Sequence, residues 1–192
     1  MGSLHNPPRQ EDQHERLHQK KSAVFPLRAE LRAVPHVVGR ALRRGNGNQS
    51  CAIARCSLEQ GAPEYCCDCP RYPCEKYAHF DEFDSFITHQ GRRADMARAQ
   101  AMGIAAYNRE QEEKIQILDA LLSQCNDGRR KTLFCVAVNL LEVTELREAM
   151  EAIHTAAGFQ DWPLKERAAY AVGILQEIAH RRNLSLKLHR KK

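Results

Sequence analysis

The sequence predicts a mainly α fold, with a small cysteine-rich module followed by a helical domain of about four to five helices. Three observations carry this expectation. Six of the eight cysteines fall between Cys51 and Cys74. From Arg92 onward, apolar residues recur at three- and four-residue intervals, the period of an amphipathic helix. Few segments alternate with the period of two that marks a half-buried strand.

At 192 residues the chain has room for one ordinary domain and an appendage. Hydrophobic residues make up 43% but aromatics only 6%, so a core must come mainly from Leu, Ile, Val, Ala and Met. The composition divides the chain into an atypical or poorly ordered segment 1–50, a cysteine-rich module 51–78, a helical domain 79–182 and a basic tail 183–192. The net charge of +5 is spread unevenly along it. Residues 1–50 hold 9 Lys/Arg against 4 Asp/Glu, residues 181–192 hold 6 against none, and residues 51–180 hold 14 against 20. The middle is therefore acidic, which repels polyanions. Nucleic acid, if bound at all, would meet the basic ends, and a basic terminus is more often simply solvated.

No run approaches the roughly 18 apolar residues of a membrane span. Met1–Lys21 lacks the apolar region of a secretory signal. Asn6 stands where the myristoylation pattern wants Ser or Thr. A soluble cytoplasmic protein is expected, with its oligomeric state left open.

The elements follow in order. Residues 1–50 carry Pro7-Pro8, one aromatic residue (Phe25) and helix-limiting Pro26 and Pro35, then a linker-like Gly45-Asn46-Gly47-Asn48. Asp81–Thr88 reads as a short helix or ordered turn. Arg92–Met102 reads as a helix stopped by Gly103, a residue suited to a left-handed cap. Asn108 and Gln111 resemble a capping box opening the next helix, which places Ile115, Leu118, Leu121 and Leu122 on one side. Asn126-Asp127-Gly128 stops it. A further helix from near Arg129 lines up Leu133, Val136, Ala137, Leu140 and Leu141. Thr144 caps a continuation bearing Leu146, Met150 and Ile153, stopped by Gly158. Asp161-Trp162-Pro163 opens the last helix, since Pro is accepted in a first turn. Its buried stripe is Ala168, Val172, Leu175 and Ile178.

The cysteine string is Cys51-Ala-Ile-Ala-Arg-Cys56, nine residues, then Cys66-Cys67-Asp68-Cys69-Pro-Arg-Tyr-Pro-Cys74. Zinc takes thiolates at tetrahedral corners, and a Cys-x-x-Cys turn supplies two corners from one short loop. Cys66 and Cys69 have that spacing, and Cys51, Cys56 and Cys74 are near enough to complete the set. Five candidates for four places leave one spare. Metal binding also stabilises a loop with few apolar residues, because its free energy becomes folding free energy. The module is therefore expected to be zinc-knuckle-like.

Rival chemistries stay open behind zinc. An iron–sulfur cluster also takes four thiolates. Disulfides suit an oxidising compartment that nothing here points to. A redox Cys-x-x-Cys would want an α/β setting. Cys67 is one residue out of frame and reads as a neighbouring or free thiol. His79 and His89 could replace a sulfur but read as surface or hydrogen-bonding histidines. Cys125 and Cys135 read as small apolar helix residues.

The strings Cys-Ala-Ile-Ala-Arg-Cys at 51–56 and Tyr-Cys-Cys-Asp-Cys-Pro-Arg-Tyr-Pro-Cys-Glu-Lys-Tyr at 65–77 resemble an uncharacterised family, domain of unknown function 3795. Its members are cysteine-rich proteins of bacteria and archaea. The similarity continues through Asp81–His89 and Gly128–Leu141 and covers roughly 49–155. It implies a metal-binding module and carries no established reaction. Members of that family usually begin with a further cysteine-rich stretch, whereas residues 1–50 hold no cysteine. The front is thus expected to depart from the family, as an alternative or frame-shifted start.

Two charged features complete the inventory. Arg129-Arg130-Lys131 at a helix start opposes the helix dipole and would suit an anion; pairing with Asp127, Glu142 or the acidic cysteine module is the simpler expectation. Asp81, Glu82 and Asp84 beside Phe80, Phe83 and Phe86 read as a packing patch rather than an acid–base pair. No Gly-rich phosphate loop, Gly-x-Ser-x-Gly elbow or His-Glu-x-x-His stands in the chain, so the motifs make no case for an enzyme. The expected function is a structural zinc module that binds a protein partner. The alternatives are a metal- or thiol-dependent enzyme and a nucleic-acid binder using the basic ends.

Overall fold

The computed structural model describes residues 52–191, apart from 62, 64 and 85–87. The expected segment 1–50 and Cys51 lie outside the described residues. Those described fall within one compact unit, Leu31–Lys192. Among them there are six α-helices, three short 3-10 turns and no strand, so the fold is mainly α.

Helix α1 spans Ala52–Glu59. The cysteine-rich turns follow, and then α2 (Arg92–Met102), α3 (Ile104–Gln124), α4 (Lys131–Leu140), α5 (Val143–Thr155) and α6 (Leu164–Arg181). The 21-residue α3 is the axis of the body, and α2, α4, α5 and α6 all pack against it. Its buried residues are Tyr107, Gln111, Lys114, Ile117, Leu118 and Leu121. Their spacing puts them on one face, since residues three and four apart share a side of a helix. That face is polar near its start and apolar near its end. The apolar end joins the main core with Phe134, Leu141, Leu146, Ile153, Ala171 and Leu175. Helix α4 buries Phe134, Val136, Ala137 and Val138, nearly all round, as befits a helix enclosed by α3 and α6. Cys125 is buried in this core and Cys135 packs against it, as small apolar residues do.

Several helix starts differ from the expected ones. Helix α3 begins directly after Gly103 rather than at Asn108. Gly103 has φ 83° and ψ 141°, a backbone that only glycine adopts cheaply. It ends α2, and its carbonyl accepts the Ala106 and Tyr107 N–H groups at 3.1 and 3.0 Å, opening α3. Asn108 and Gln111 therefore lie inside the helix. At α5 the cap is Glu142, not Thr144: the Glu142 N–H donates to Glu145 Oε2 at 2.8 Å. In α6, Pro163 stands one place before the first helical residue, and its carbonyl accepts the Glu166 and Arg167 N–H groups. Before α4, Asp127 takes the Arg129 N–H at 3.0 Å and lies 3.6 Å from Arg130 Nε, the pairing that charge alone favoured.

The stretch expected as a basic tail is docked as far as His189. Leu186 is buried, and Leu184 and Leu188 pack on the main core. The Asp84 N–H donates to the His189 carbonyl at 2.7 Å, and the His189 N–H donates to the Asp84 carboxylate at 2.8 Å.

Candidate metal centre

Three short elements deliver the cysteines. Helix α1 carries Cys56 and the buried Ile53, and it runs out at Gly61, whose φ is 82°. The next element is the 3-10 turn Cys66–Asp68. The Cys69 N–H donates to the Cys66 carbonyl at 3.0 Å, so the turn sets Cys66 and Cys69 at its two ends. Asp68 closes it twice, donating its N–H to the Tyr65 carbonyl and accepting the Tyr65 N–H on its carboxylate at 3.2 Å. After the cis Tyr72–Pro73 peptide, Cys74 precedes a second turn, Glu75–Tyr77. Its carbonyl accepts the Tyr77 N–H at 2.9 Å.

These elements converge on one pocket, walled by Cys56, Cys66, Cys69 and Cys74 together with Tyr72 and Tyr77. Burial pushes the Cys66 thiol up, a hydrogen bond with Tyr77 pulls it down, and the neighbouring Cys74, Cys56 and Cys69 thiols push it up again. Arg71 Nη2 lies 3.9 Å from Cys56 Sγ and brings a positive charge to the rim.

Four of the five expected ligands thus share the pocket, and the fifth, Cys51, lies outside the described residues. Cys67 does not line the pocket. Burial and the Asp68 charge raise its thiol, and its carbonyl accepts Gln100 Nε2 at 3.4 Å. Neither histidine enters. His79 Nδ1 pairs with Glu82 Oε1 at 2.6 Å on the surface. His89 donates Nδ1–H to the Phe83 carbonyl at 2.8 Å and stacks on Phe80 with centroids 4.5 Å apart. Burial, then the charge of Arg92, hold His89 below the ordinary histidine range. The acidic patch is likewise structural. Arg93 binds Asp81 at 2.9 Å, while the Asp84 carboxylate accepts from Thr88, His89, Gln90 and His189.

The donor set suits a soft or borderline ion: four thiols and no carboxylate. Among the described residues, however, no group of three or more His, Cys, Asp or Glu side chains is gathered closely enough to hold one. The backbone brings the thiols to one pocket without closing them on a point.

Sequence reasoning passed over the residues that fasten this pocket to the helices. Tyr65 is 1% exposed and packs with Met96, Ala99 and Tyr107, while Cys66, Cys67 and Tyr72 border the same cluster. Its ring meets that of Tyr107 edge-on at 5.7 Å, and its hydroxyl donates to Asn108 Oδ1. Beside this cluster runs a charged stitch. Lys114 is 4% exposed; burial pushes its ammonium down and Asp95 holds it up, while burial pushes Asp95 up against the pull of Lys114 and Arg92. Arg98 binds both Glu110 oxygens at 2.7 Å and Glu142 at 3.0 Å, tying α2 to α3 and to the start of α5. A signal for the tyrosines did exist. Three of the chain's five tyrosines, Tyr65, Tyr72 and Tyr77, stand among the cysteines, where an exposed loop has no use for them.

Residues 9–79 match a family described as "Protein of unknown function (DUF3795)". The match holds both cysteine strings, in agreement with the resemblance they carry. Its bounds differ from the expected 49–155. It begins at residue 9, so most of the front expected to depart from the family lies inside the match, and it ends before α2. Searches of curated proteins and of solved structures found no match.

Proposed function

We propose that Cys56, Cys66, Cys69 and Cys74 hold one zinc ion, and that the ion sets the turns of residues 65–77 as a rigid surface for a protein partner. One observation carries this reading: the four thiols wall the same pocket. Their chemistry agrees, because zinc in structural sites favours four thiolates, and a closed all-sulfur set leaves no open position for substrate. The local structure agrees as well. Residues 65–77 are organised by two three-residue 3-10 turns, whose hydrogen bonds are poorly aligned and stabilise little on their own. Bound metal supplies the missing free energy. The role of these residues is to present sulfur as thiolate, Cys66 and Cys69 from one turn, Cys74 from the next and Cys56 from α1.

A cytosolic location fits this reading, since thiolates persist as ligands where the compartment is reducing. Among the described residues no helix is long and apolar enough to cross a membrane.

The test is elemental analysis and absorption spectroscopy of protein isolated under reducing conditions. One zinc per chain and no visible colour are expected, with a chelator quickening amide exchange within residues 52–77, most on the thiol side, while α3–α6 stay protected. Stoichiometric iron with a visible chromophore would replace zinc by an iron–sulfur cluster. Metal-free protein with the same protection at 52–77 would end the metal reading.

A further inference from the structure

Residues 184–189 lie against the body with alternating exposure. Leu184, Leu186 and Leu188 pack on the main core, while Ser185, Lys187 and His189 are exposed. Arg190 and Lys191 continue the exposed row. Among the described residues, Lys187, Arg190 and Lys191 form no ion pair. A terminus that is merely solvated spreads its charges over many conformations. Here the leucines fix the backbone, and alternate side chains of an extended strip stand about 7 Å apart.

Phe83 stands beside the far end of this row. The Asp84 N–H donates to the His189 carbonyl at 2.7 Å, and the His189 N–H donates back to the Asp84 carboxylate at 2.8 Å. On the other side of the same peptide, His89 Nδ1–H donates to the Phe83 carbonyl at 2.8 Å. The backbone that carries the ring is therefore held. The ring itself is 45% exposed, more than any other large hydrophobic side chain among the described residues. Its acidic neighbours Asp81 and Glu82 are engaged by Arg93 at 2.9 Å and His79 at 2.6 Å, which limits their repulsion of an anion.

We infer that the docked strip and Phe83 form a binding surface for single-stranded nucleic acid: Lys187, Arg190 and Lys191 meet phosphates of the strand, and an unpaired base stacks on the Phe83 ring. The inference goes beyond the zinc reading and does not depend on it. Its physical basis is the pairing of a cationic row with a flat exposed ring, the combination by which single strands are held without regard to sequence. Each phosphate met by Lys or Arg releases condensed counterions, so the row supplies affinity that falls with salt. Stacking supplies a part that salt leaves alone, because every base has a π-face. Docking matters as well. Cations already fixed in a row lose less freedom on binding than those of a free tail. A duplex hides its bases from the ring, an acidic protein surface brings charge without a flat partner, and a membrane surface asks for a broader apolar face than one side chain.

The probe is a fluorescently labelled oligothymidine strand, titrated with the full chain while anisotropy is read at several salt concentrations. Wild-type protein is compared with Phe83→Leu, Phe83→Trp and the triple variant Lys187→Gln/Arg190→Gln/Lys191→Gln, and circular dichroism checks that each keeps its helices. Three phosphate contacts give a slope of about −2 in log affinity against log salt, at ~0.7 per contact on a single strand. Wild-type binding should therefore weaken roughly 20-fold between about 50 and about 200 mM salt. The triple variant should lose most of this slope. Phe83→Leu keeps an apolar side chain without a π-face, so it should bind at least about 5-fold more weakly at an unchanged slope. Phe83→Trp should retain wild-type affinity. Duplex DNA, polyglutamate and vesicles of anionic lipid should all compete less well than the unlabelled strand. Absence of binding by the wild type at low salt would overturn the inference, and so would equal competition by any of those three. Binding that survives the triple substitution with its slope intact would place the contact on other residues and overturn it too. Wild-type affinity in Phe83→Leu would remove the stacked base and with it the claim for a single strand.

Discussion

Tyr65 is the residue on which the union of cysteine turns and helices most visibly depends, and its replacement by alanine can be worked through. The side chain is 1% exposed, in a cluster with Met96, Ala99 and Tyr107. Removing about 150 Å² of buried ring at ~25 cal/mol per Å² costs about 4 kcal/mol. The edge-on contact with Tyr107 adds ~1 kcal/mol, and the hydroxyl bond to Asn108 adds ~1 kcal/mol. Partial collapse of the cavity returns some of this, so about 3–5 kcal/mol is the expected loss. Tyr65→Phe keeps the ring and should lose only ~1 kcal/mol, because half-buried Asn108 can turn to water. Urea unfolding measures both. In a thermal scan the alanine variant should fall by about 6–20 °C, at ~2–4 °C per kcal/mol for a domain of this size. Amide exchange of residues 66–77 should quicken in Tyr65→Ala more than that of α4. An alanine variant within about 1 kcal/mol of wild type, with 66–77 equally protected, would show that the turns do not depend on this anchor.

Two further outcomes follow from the buried charges. The hydrogen bonds from His89, His189, Gln90 and Thr88 outweigh burial and hold Asp84 below the usual 3.8. A depressed carboxylate stabilises the fold above its unfolded pKa, and that stability fades as pH falls through the lower folded value. Asp84→Asn should therefore loosen residues 184–189 at pH 7, with faster exchange at the His89 and His189 amides. The difference from wild type should close as pH falls below about 3.8 in metal-free samples of both; a difference constant with pH would contradict this. For Lys114 and Asp95, Lys114→Met alone should cost about 2–3 kcal/mol, because it removes one of the positive charges that offset the half-buried Asp95 carboxylate. Adding Asp95→Asn should restore much of the loss in urea unfolding, and simple additivity would show that the two groups do not interact.

Legibility in the sequence tracked how local each cause was. Helix α4 was plain because Leu133 to Leu141 is apolar on nearly every side, and the stripes of α5 and α6 followed the helical period. The start of α3 was misplaced because Asn108 and Gln111 imitate a capping box. The real opening depends on the backbone of Gly103, which also ends α2. Helix α1 is masked by its cysteines, whose spacing signals a metal loop, although Ala52, Ile53 and Ala54 favour helix and Gly61 supplies a stop. The tail was read by its charge. Leu184, Leu186 and Leu188 alternate with polar residues, the mark of an extended strip docked on one side. For the pocket, sequence offered five thiols. Only the fold shows that Cys56, Cys66, Cys69 and Cys74 share a wall while Cys67 faces elsewhere, since that depends on where two 3-10 turns place them.

The cysteine turns are joined to the rest of the molecule through residues that serve two neighbourhoods at once. Cys66 and Tyr72 border the Tyr65 cluster on the helices, and both also line the thiol pocket. Tyr77 continues the contact outward to Phe80, which stacks on His89 and lies 5.9 Å beneath the Arg92 guanidinium at the start of α2. The turns are thus held by aromatic rings on the helical side and present four thiols on the other. A loop held in this way should not melt as an independent zinc knuckle would. Were the proposed ion removed, the ring contacts would remain, so the helical side of the turns should keep part of its order while the thiol side opens. Cys66, common to both neighbourhoods, is where one kind of support gives way to the other.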